Sequence, residues 1–243
     1  MGAERFASLP VWPMFAPKIA PLLPVCAPPV AYGCLVMALR RIGPAKLRPV
    51  RRFRAVYNAG MSMYSLWVAA VLCRKLVANG RLATVHALLC VASPGVPWGW
   101  QASKIVEWID TVCIIEAGRL PSSLHLRHHA SAASVVALQS LWRTAPTPLF
   151  DFASFCNACV HGAMYAFYCA PRTLAPLKRS ITVAQIAQHV LVAASIVAAL
   201  AQPRGSCDAP LRVYGPSLFF FAMWVWDFAL LYARTYSLAG KAR

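Results

Sequence analysis

Acidic residues are nearly missing from this chain: seven Asp and Glu in 243 residues, against 24 Lys and Arg. Charge of either sign is sparse, at 13% of residues, and apolar types make up 59%. Soluble domains carry roughly 25% charged residues, so there is too little polar coat here for a water-facing surface. The mean hydropathy of +0.56 agrees. These shortages exclude a soluble globular protein and leave the lipid bilayer as the solvent. A cleavable leader is not expected, because residues 1–24 lack a clean apolar core ahead of a small-residue cleavage site. The nine cysteines are read as offering no C-x-x-C pair or other zinc spacing, and no metal is assigned. Most sit inside apolar runs, such as Cys26, Cys34, Cys113 and Cys169, where a thiol is a small hydrophobe.

The basic excess, +17 overall, could suggest nucleic acid, but the cations cluster between apolar runs, as in loops facing anionic lipid. No nucleic-acid partner is expected. Residues 1–18 are Pro-rich and read as irregular. Spans are read at residues 19–39, 56–77, 100–118, 130–142, 149–170, 181–201 and 213–236, the first long enough to cross ~30 Å of hydrocarbon. Residues 82–92 are apolar but too short, and Pro94 and Pro97 follow, so this stretch is expected to be re-entrant or interfacial. The expectation is an all-α polytopic membrane protein of seven transmembrane helices, forming one integral-membrane domain over residues 1–243. With seven spans the termini lie on opposite sides. One side then holds fifteen Lys and Arg, seven of them in residues 40–54, and the other eight. The bias puts the C-terminus in the cytosol and the N-terminus in the lumen.

Three of the six histidines fall within eight residues: His125, His128 and His129. Positions i, i+3 and i+4 share a helical face, and a neutral imidazole can serve as nucleophile, base or ligand. A set of hydrogen-bonded core histidines is the alternative. Ionisable groups inside spans are costly and mark functional sites. Lys104, Glu107 and Asp110 stand at i, i+3 and i+6 in the third run, either neutralising one another or lining a cavity and orienting imidazoles. Asn157, His161 and Tyr165 repeat at four in the fifth run, with Tyr168 nearby. Thr182, Gln185 and Gln188 open the sixth, as cavity lining or as interhelical hydrogen-bond partners. Asp227 is a lone carboxylate among aromatics with no partner legible.

Together these stretches resemble one family. Lys104 to Thr111 fits K-x-x-E-x-x-D-T, His125 to His129 fits H-x-x-H-H, Asn157 to Tyr165 fits N-x-x-x-H-x-x-M-Y, and Leu177 to Gln188 fits L-K-R-x-I-T-x-x-Q-x-x-Q. In that order, over residues 103–188, they resemble the ELO family of fatty acid elongases, which are condensing enzymes of the endoplasmic reticulum membrane. One departure is Glu116 to Arg119, where family members usually carry more basic residues.

The resemblance implies six helices in an inverted barrel around a long acyl tunnel, plus one outer helix. It implies a 3-ketoacyl-CoA synthase that joins a long-chain acyl-CoA to malonyl-CoA with loss of carbon dioxide, by a ping-pong route through an acyl-imidazole on His128. His125, His129 and His161 join the catalytic group, while Lys104, Glu107, Asp110 and Asn157 set its charge and hold its imidazoles. Tyr165, Tyr168, Gln185, Gln188, Lys178 and Arg179 are the expected substrate contacts. The implied partners are the two thioesters, membrane lipids and the ketoacyl-CoA reductase, dehydratase and enoyl-CoA reductase of an elongation cycle, with a homodimer as a further option. No bound cofactor is implied. Retention in the reticulum has a partial signal in Lys241-Ala-Arg243. On this topology Cys207 can meet either Cys73 or Cys90 in a luminal disulfide. A membrane di-iron desaturase or hydroxylase is the alternative reading. Such sites draw on about eight histidines, more than the six present.

Overall fold

The computed structural model describes residues 23–80, 82–90, 99–140, 148–203 and 211–237, and among them there are helices and turns but no strand. Helix α1 (Leu23–Ile42) stops at Gly43, whose φ of 77° suits a residue without Cβ. Pro44 then opens a helical turn, Pro44–Leu47, at the position where its missing N–H costs nothing. A 3-10 turn, Arg48–Arg52, leads into α2 (Arg54–Ala78). Leu47 anchors this connection by packing with Leu39 and Ile115. Arg40, Arg41, Lys46, Arg48, Arg51 and Arg52 stay exposed. After a six-residue α3 (Val85–Cys90), Gly99 at φ 85° precedes α4 (Trp100–Val106). Next come α5 (Ile109–Glu116), α6 (Ser123–Ser140), α7 (Pro148–Cys169) and α8 (Lys178–Leu200). The last helix is α9 (Leu211–Tyr232), closed by a π turn, Ala233–Ser237.

Two elements depart from the sequence expectation. The run at 100–118 is not one helix. It breaks at Glu107 and Trp108, where the backbone tightens to i→i+3 bonds, Asp110 N–H to Glu107 O at 3.1 Å and Thr111 N–H to Trp108 O at 3.0 Å. Ser103 Oγ also donates to the Trp100 carbonyl at 2.7 Å, a local bond that competes with the helical ladder. Helix α6 begins at Ser123 rather than near 130, so the three clustered histidines lie within its first two turns. The Ser122 hydroxyl accepts from the His125 N–H at 3.2 Å, satisfying a donor that the helix start leaves open.

Four stretches are long and apolar enough to cross a membrane: Val25–Ile42, Arg54–Ala78, Ala175–Leu200 and Tyr214–Tyr236. Their outward side chains are large and apolar, with Val30, Trp67, Phe219 and Trp226 each more than half exposed. Polar groups such as Lys104, Glu107, His189 and Asp227 are buried instead. Apolar outside and polar inside is the arrangement lipid requires, and the chain is an all-α integral membrane protein.

Helix α2 packs along α7, α8 along α9, and α1 along α6. The α2–α7 approach is close because Gly162 has no side chain: a Cβ there would stand 2.7 Å from Leu66 Cδ2. The Ser62 hydroxyl donates to the Gly162 carbonyl across this seam at 2.9 Å. The main apolar core joins α6 to α9, with Ala132, Leu149, Ile196, Phe221 and Trp224 among its buried members. Cys73 is a free thiol and Cys90 is disulfide-bonded, while Cys207 lies outside the described residues.

Candidate functional site

Helix α7 carries Asn157, His161 and Tyr165 at intervals of four, so their side chains share a stripe. The α4–α5 segment carries Lys104, Glu107 and Asp110 at intervals of three. The two rows meet rung by rung. Lys104 Nζ donates to Asn157 Oδ1 at 2.8 Å, His161 Nδ1 stands 3.3 Å from Glu107 Oε1, and the Tyr165 hydroxyl donates to Asp110 Oδ2 at 2.7 Å. Intervals of three on a broken helix thus match intervals of four on a regular one. Lys104 Nζ also donates to Glu107 Oε1 at 2.7 Å and lies 4.0 Å from the centre of the Trp100 ring. Lys104 and Glu107 thus form a buried ion pair, and the same Glu107 oxygen faces the His161 ring.

Two tyrosines, Tyr57 and Tyr32, complete the ladder from outside the motifs. The Tyr57 hydroxyl donates to Asp110 Oδ1 at 3.0 Å. Thr111 Oγ1 lies 2.8 Å from His125 Nε2 and 2.8 Å from the Tyr32 hydroxyl. His125 and His129 stack with ring centroids 4.1 Å apart, and Trp108 Nε1–H donates to the His129 carbonyl at 3.2 Å. His128 turns the other way, towards Trp224 at 4.9 Å and His189 at 5.9 Å between centroids. Arg127, beside it, clasps Asp227 through both guanidinium and carboxylate, tying α6 to α9. Asp227, unpartnered in the sequence reading, therefore has its counter-charge.

Two cavities meet at this cluster. The wider, about 680 Å³, is lined by His125, His128, His129 and His161, by Tyr168, Gln185 and Gln188, and by Arg54, Arg119 and Lys178. The narrower, about 50 Å³, runs among Trp100, Ala132, Phe150, Val192, Phe221 and Trp224 and also touches Lys104, Asn157 and His189. His128 and Gln188 line both. The first space has mixed polar and apolar walls with cations among them, the second is largely apolar, and the His128 imidazole borders both.

Of the residues expected to contact substrate, Tyr168, Gln185, Gln188 and Lys178 line the wide cavity. Tyr165 and Arg179 do not. Tyr165 is fully buried behind the wall with its hydroxyl committed to Asp110. Arg179 faces outward and donates to the Tyr232 hydroxyl at 2.9 and 2.7 Å. Gln185 donates to Met164 Sδ at 3.4 Å, so for this amide interhelical bonding and cavity lining coexist. Cys156 and Cys159 do stand in a C-x-x-C spacing, on α7, and both are free. Sequence reasoning passed over His189, Tyr57 and Arg127. For His189 the signal was present, since it directly follows Gln188 at the end of the polar row opening α8.

Residues 22–243 match the ELO family, described as the GNS1/SUR4 family. The chain is 26% identical over 208 residues to very long chain fatty acid elongase 1 of Mus musculus, covering 75% of this chain and 70% of the mouse protein. It is 30% identical over 149 residues to fatty acid elongase 2 of Trypanosoma brucei brucei, covering 55% of this chain and 53% of that protein. With fatty acid elongase 6 of Leishmania major it shares 28% over 165 residues, 63% of this chain and 42% of that one. The chain thus spans about half or less of the length of the last two. No solved structure matches it. The family match runs through every helix carrying the paired rows and the histidine cluster, and the chain belongs to the GNS1/SUR4, or ELO, family.

Proposed function

We propose that this protein is a fatty acid elongase of the condensing type, a 3-ketoacyl-CoA synthase acting on a long-chain acyl-CoA and malonyl-CoA. The observation that carries the reading is the position of His128, on the wall shared by a wide, cation-rimmed cavity and a narrow apolar one. A thioester of coenzyme A has this polarity: an anionic nucleotide at one end, a hydrocarbon tail at the other, and a reactive carbonyl between them. Relatives named fatty acid elongases support the same substrate class.

In the proposed route His128 attacks the acyl thioester and forms an acyl-imidazole while coenzyme A leaves, which divides one hard step into two easier ones. Malonyl-CoA then enters the wide cavity, loses carbon dioxide, and the resulting enolate attacks the acyl carbon. Glu107 lies at His161 Nδ1 and so directs the ring's proton to that nitrogen, leaving Nε2 with its lone pair. His129 lines the wide cavity, where it can meet the developing charge, while the Nε2 lone pair of His161 on the same wall can accept a proton. Asn157, its amide oxygen held by Lys104, keeps its NH₂ free to donate on the narrow side. Burial around the apolar cavity keeps water from the acyl-imidazole.

The same reading places the protein in the endoplasmic reticulum membrane as a seven-span chain, with six helices in an inverted barrel and a cytosolic C-terminus. It works there beside the reductases and dehydratase of the cycle. Among the described residues no three His, Cys, Asp or Glu side chains gather as a metal-holding group. The test is intact mass spectrometry after mixing the purified protein with acyl-CoA alone. The expected result is one added acyl group, absent in His128→Ala, and malonyl-CoA-dependent release of carbon dioxide that is lost in the same variant. Full condensing activity in His128→Ala would overturn the assignment.

A further inference from the structure

A fifth imidazole stands beside His128, and no step above uses it. His189 lies on α8, 2% exposed, lining the narrow cavity together with His128. Gln188 Nε2 is 3.4 Å from His189 Nε2. An amide nitrogen can only donate, so that ring nitrogen accepts, and a neutral imidazole then carries its proton on Nδ1. His189 Nδ1 is buried and has no hydrogen-bond partner. The ring is held by Phe221, Trp224 and Phe228, with centroids 5.8, 5.3 and 5.4 Å away, and these offer no acceptor. A buried N–H left without an acceptor is costly, and where one persists beside a reactive group it calls for an explanation.

The geometry points to His189 Nδ1–H as the donor that holds the thioester oxygen while His128 attacks. This assignment rests on the acyl-imidazole reading and adds a catalytic residue to its first half-reaction. A ring nitrogen of His128 bonds to the thioester carbon, and the carbonyl pair moves onto oxygen. The His189 N–H donates to that oxyanion, a charge that exists only on the way across the barrier. The carbonyl then re-forms and the carbon–sulfur bond breaks. The thiolate of coenzyme A departs with the electron pair and takes up the proton released by the acylated imidazole. His189 itself neither gains nor loses a proton. Its ring centre is 5.9 Å from that of His128, so a carbonyl oxygen lying beside the pair falls within reach of both rings. Gln188 serves as a positioning residue, fixing which nitrogen of His189 carries the proton.

The full-length protein is mixed with acyl-CoA alone, quenched at intervals and weighed intact, for the parent and for His189→Phe, His189→Asn and His189→Gln. Phenylalanine keeps the ring's bulk and removes the donor. The asparagine amide nitrogen sits where Nδ1 sat, whereas the glutamine amide reaches the place of Nε2. The expected result is a loss of about a hundred-fold or more in the rate of adduct formation in His189→Phe, with half-saturating acyl-CoA unchanged. Asparagine should recover much of that loss and glutamine little. Adduct formation at the parent rate in His189→Phe, or equal recovery by asparagine and glutamine, would overturn the assignment, since bulk alone would then explain the residue. If His189→Phe does not accumulate as folded protein, the asparagine–glutamine comparison decides. If the parent forms no adduct, the acyl-imidazole reading fails, and this assignment fails with it.

Discussion

A cation with 4% of its surface exposed survives only while its partners are in place, and Lys104 has three: the Glu107 carboxylate, the Asn157 amide oxygen and the face of Trp100. Replacing it by methionine keeps the stem and deletes the charge, leaving Glu107 buried with only His161 to answer it. The expected cost is about 3–5 kcal/mol, as for other buried pairs that lose one member. Thermal unfolding in detergent would show it as a lower midpoint, and adding Glu107→Gln should recover part of the loss. A Lys104→Met variant as stable as its parent would refute this account of the ladder. At this scale the sequence was informative about faces and uninformative about depth. The intervals of three and four placed Lys104, Glu107 and Asp110 on one row and Asn157, His161 and Tyr165 on another. They could not tell that Tyr165 lies one layer behind the cavity wall, because periodicity gives direction from a helix axis and not distance from a void. Nor could they give Asp227 its partner, since Arg127 lies 100 positions away and meets it through tertiary packing alone.

Among the helices, boundaries set by apolar composition were legible and those set by hydrogen bonding were not. Helix α2 extends only a little past the apolar run at 56–77, because nothing within that run competes with its backbone ladder. Between α4 and α5 the backbone tightens to i→i+3 bonds at Glu107 and Trp108, so a run that reads as one span folds as two pieces. Helix α6 starts earlier than its apolar run because its histidines pack against one another and against neighbouring helices rather than against lipid. The α2–α7 seam offers a direct test of packing. Gly162→Ala brings a methyl group within 2.9 Å of Leu66 Cγ, so Leu66, more than half exposed on the lipid side, must shift. The expected destabilisation is modest, about 1 kcal/mol, because an exposed leucine can turn away, and Leu66→Ala should cancel most of it. A larger loss that Leu66→Ala does not repair would mean that the backbones themselves are forced apart, and His161, one residue earlier, would then lose condensing activity in step.

Across the molecule as a whole, the shortage of charge and the long apolar runs foretold a helical membrane protein, and the four qualifying stretches agree. The inner architecture was less accessible. Which helices adjoin, and where a void opens, depends on side chains distant in sequence meeting in space. The two joined cavities are the feature with the most to say about turnover. On the proposed route, a fatty tail drawn into the inner chamber would act as its own stopper, filling the path by which a stray water molecule could approach the labile bond. Tails too short to fill that chamber leave the bond uncorked. The lifetime of the acyl adduct should therefore lengthen as the tail grows, then level off once the chamber is full. Chasing the adduct in water across a homologous series of acyl-CoAs measures this directly, and a lifetime indifferent to tail length would mean that the protein alone, and not its guest, keeps the chamber dry.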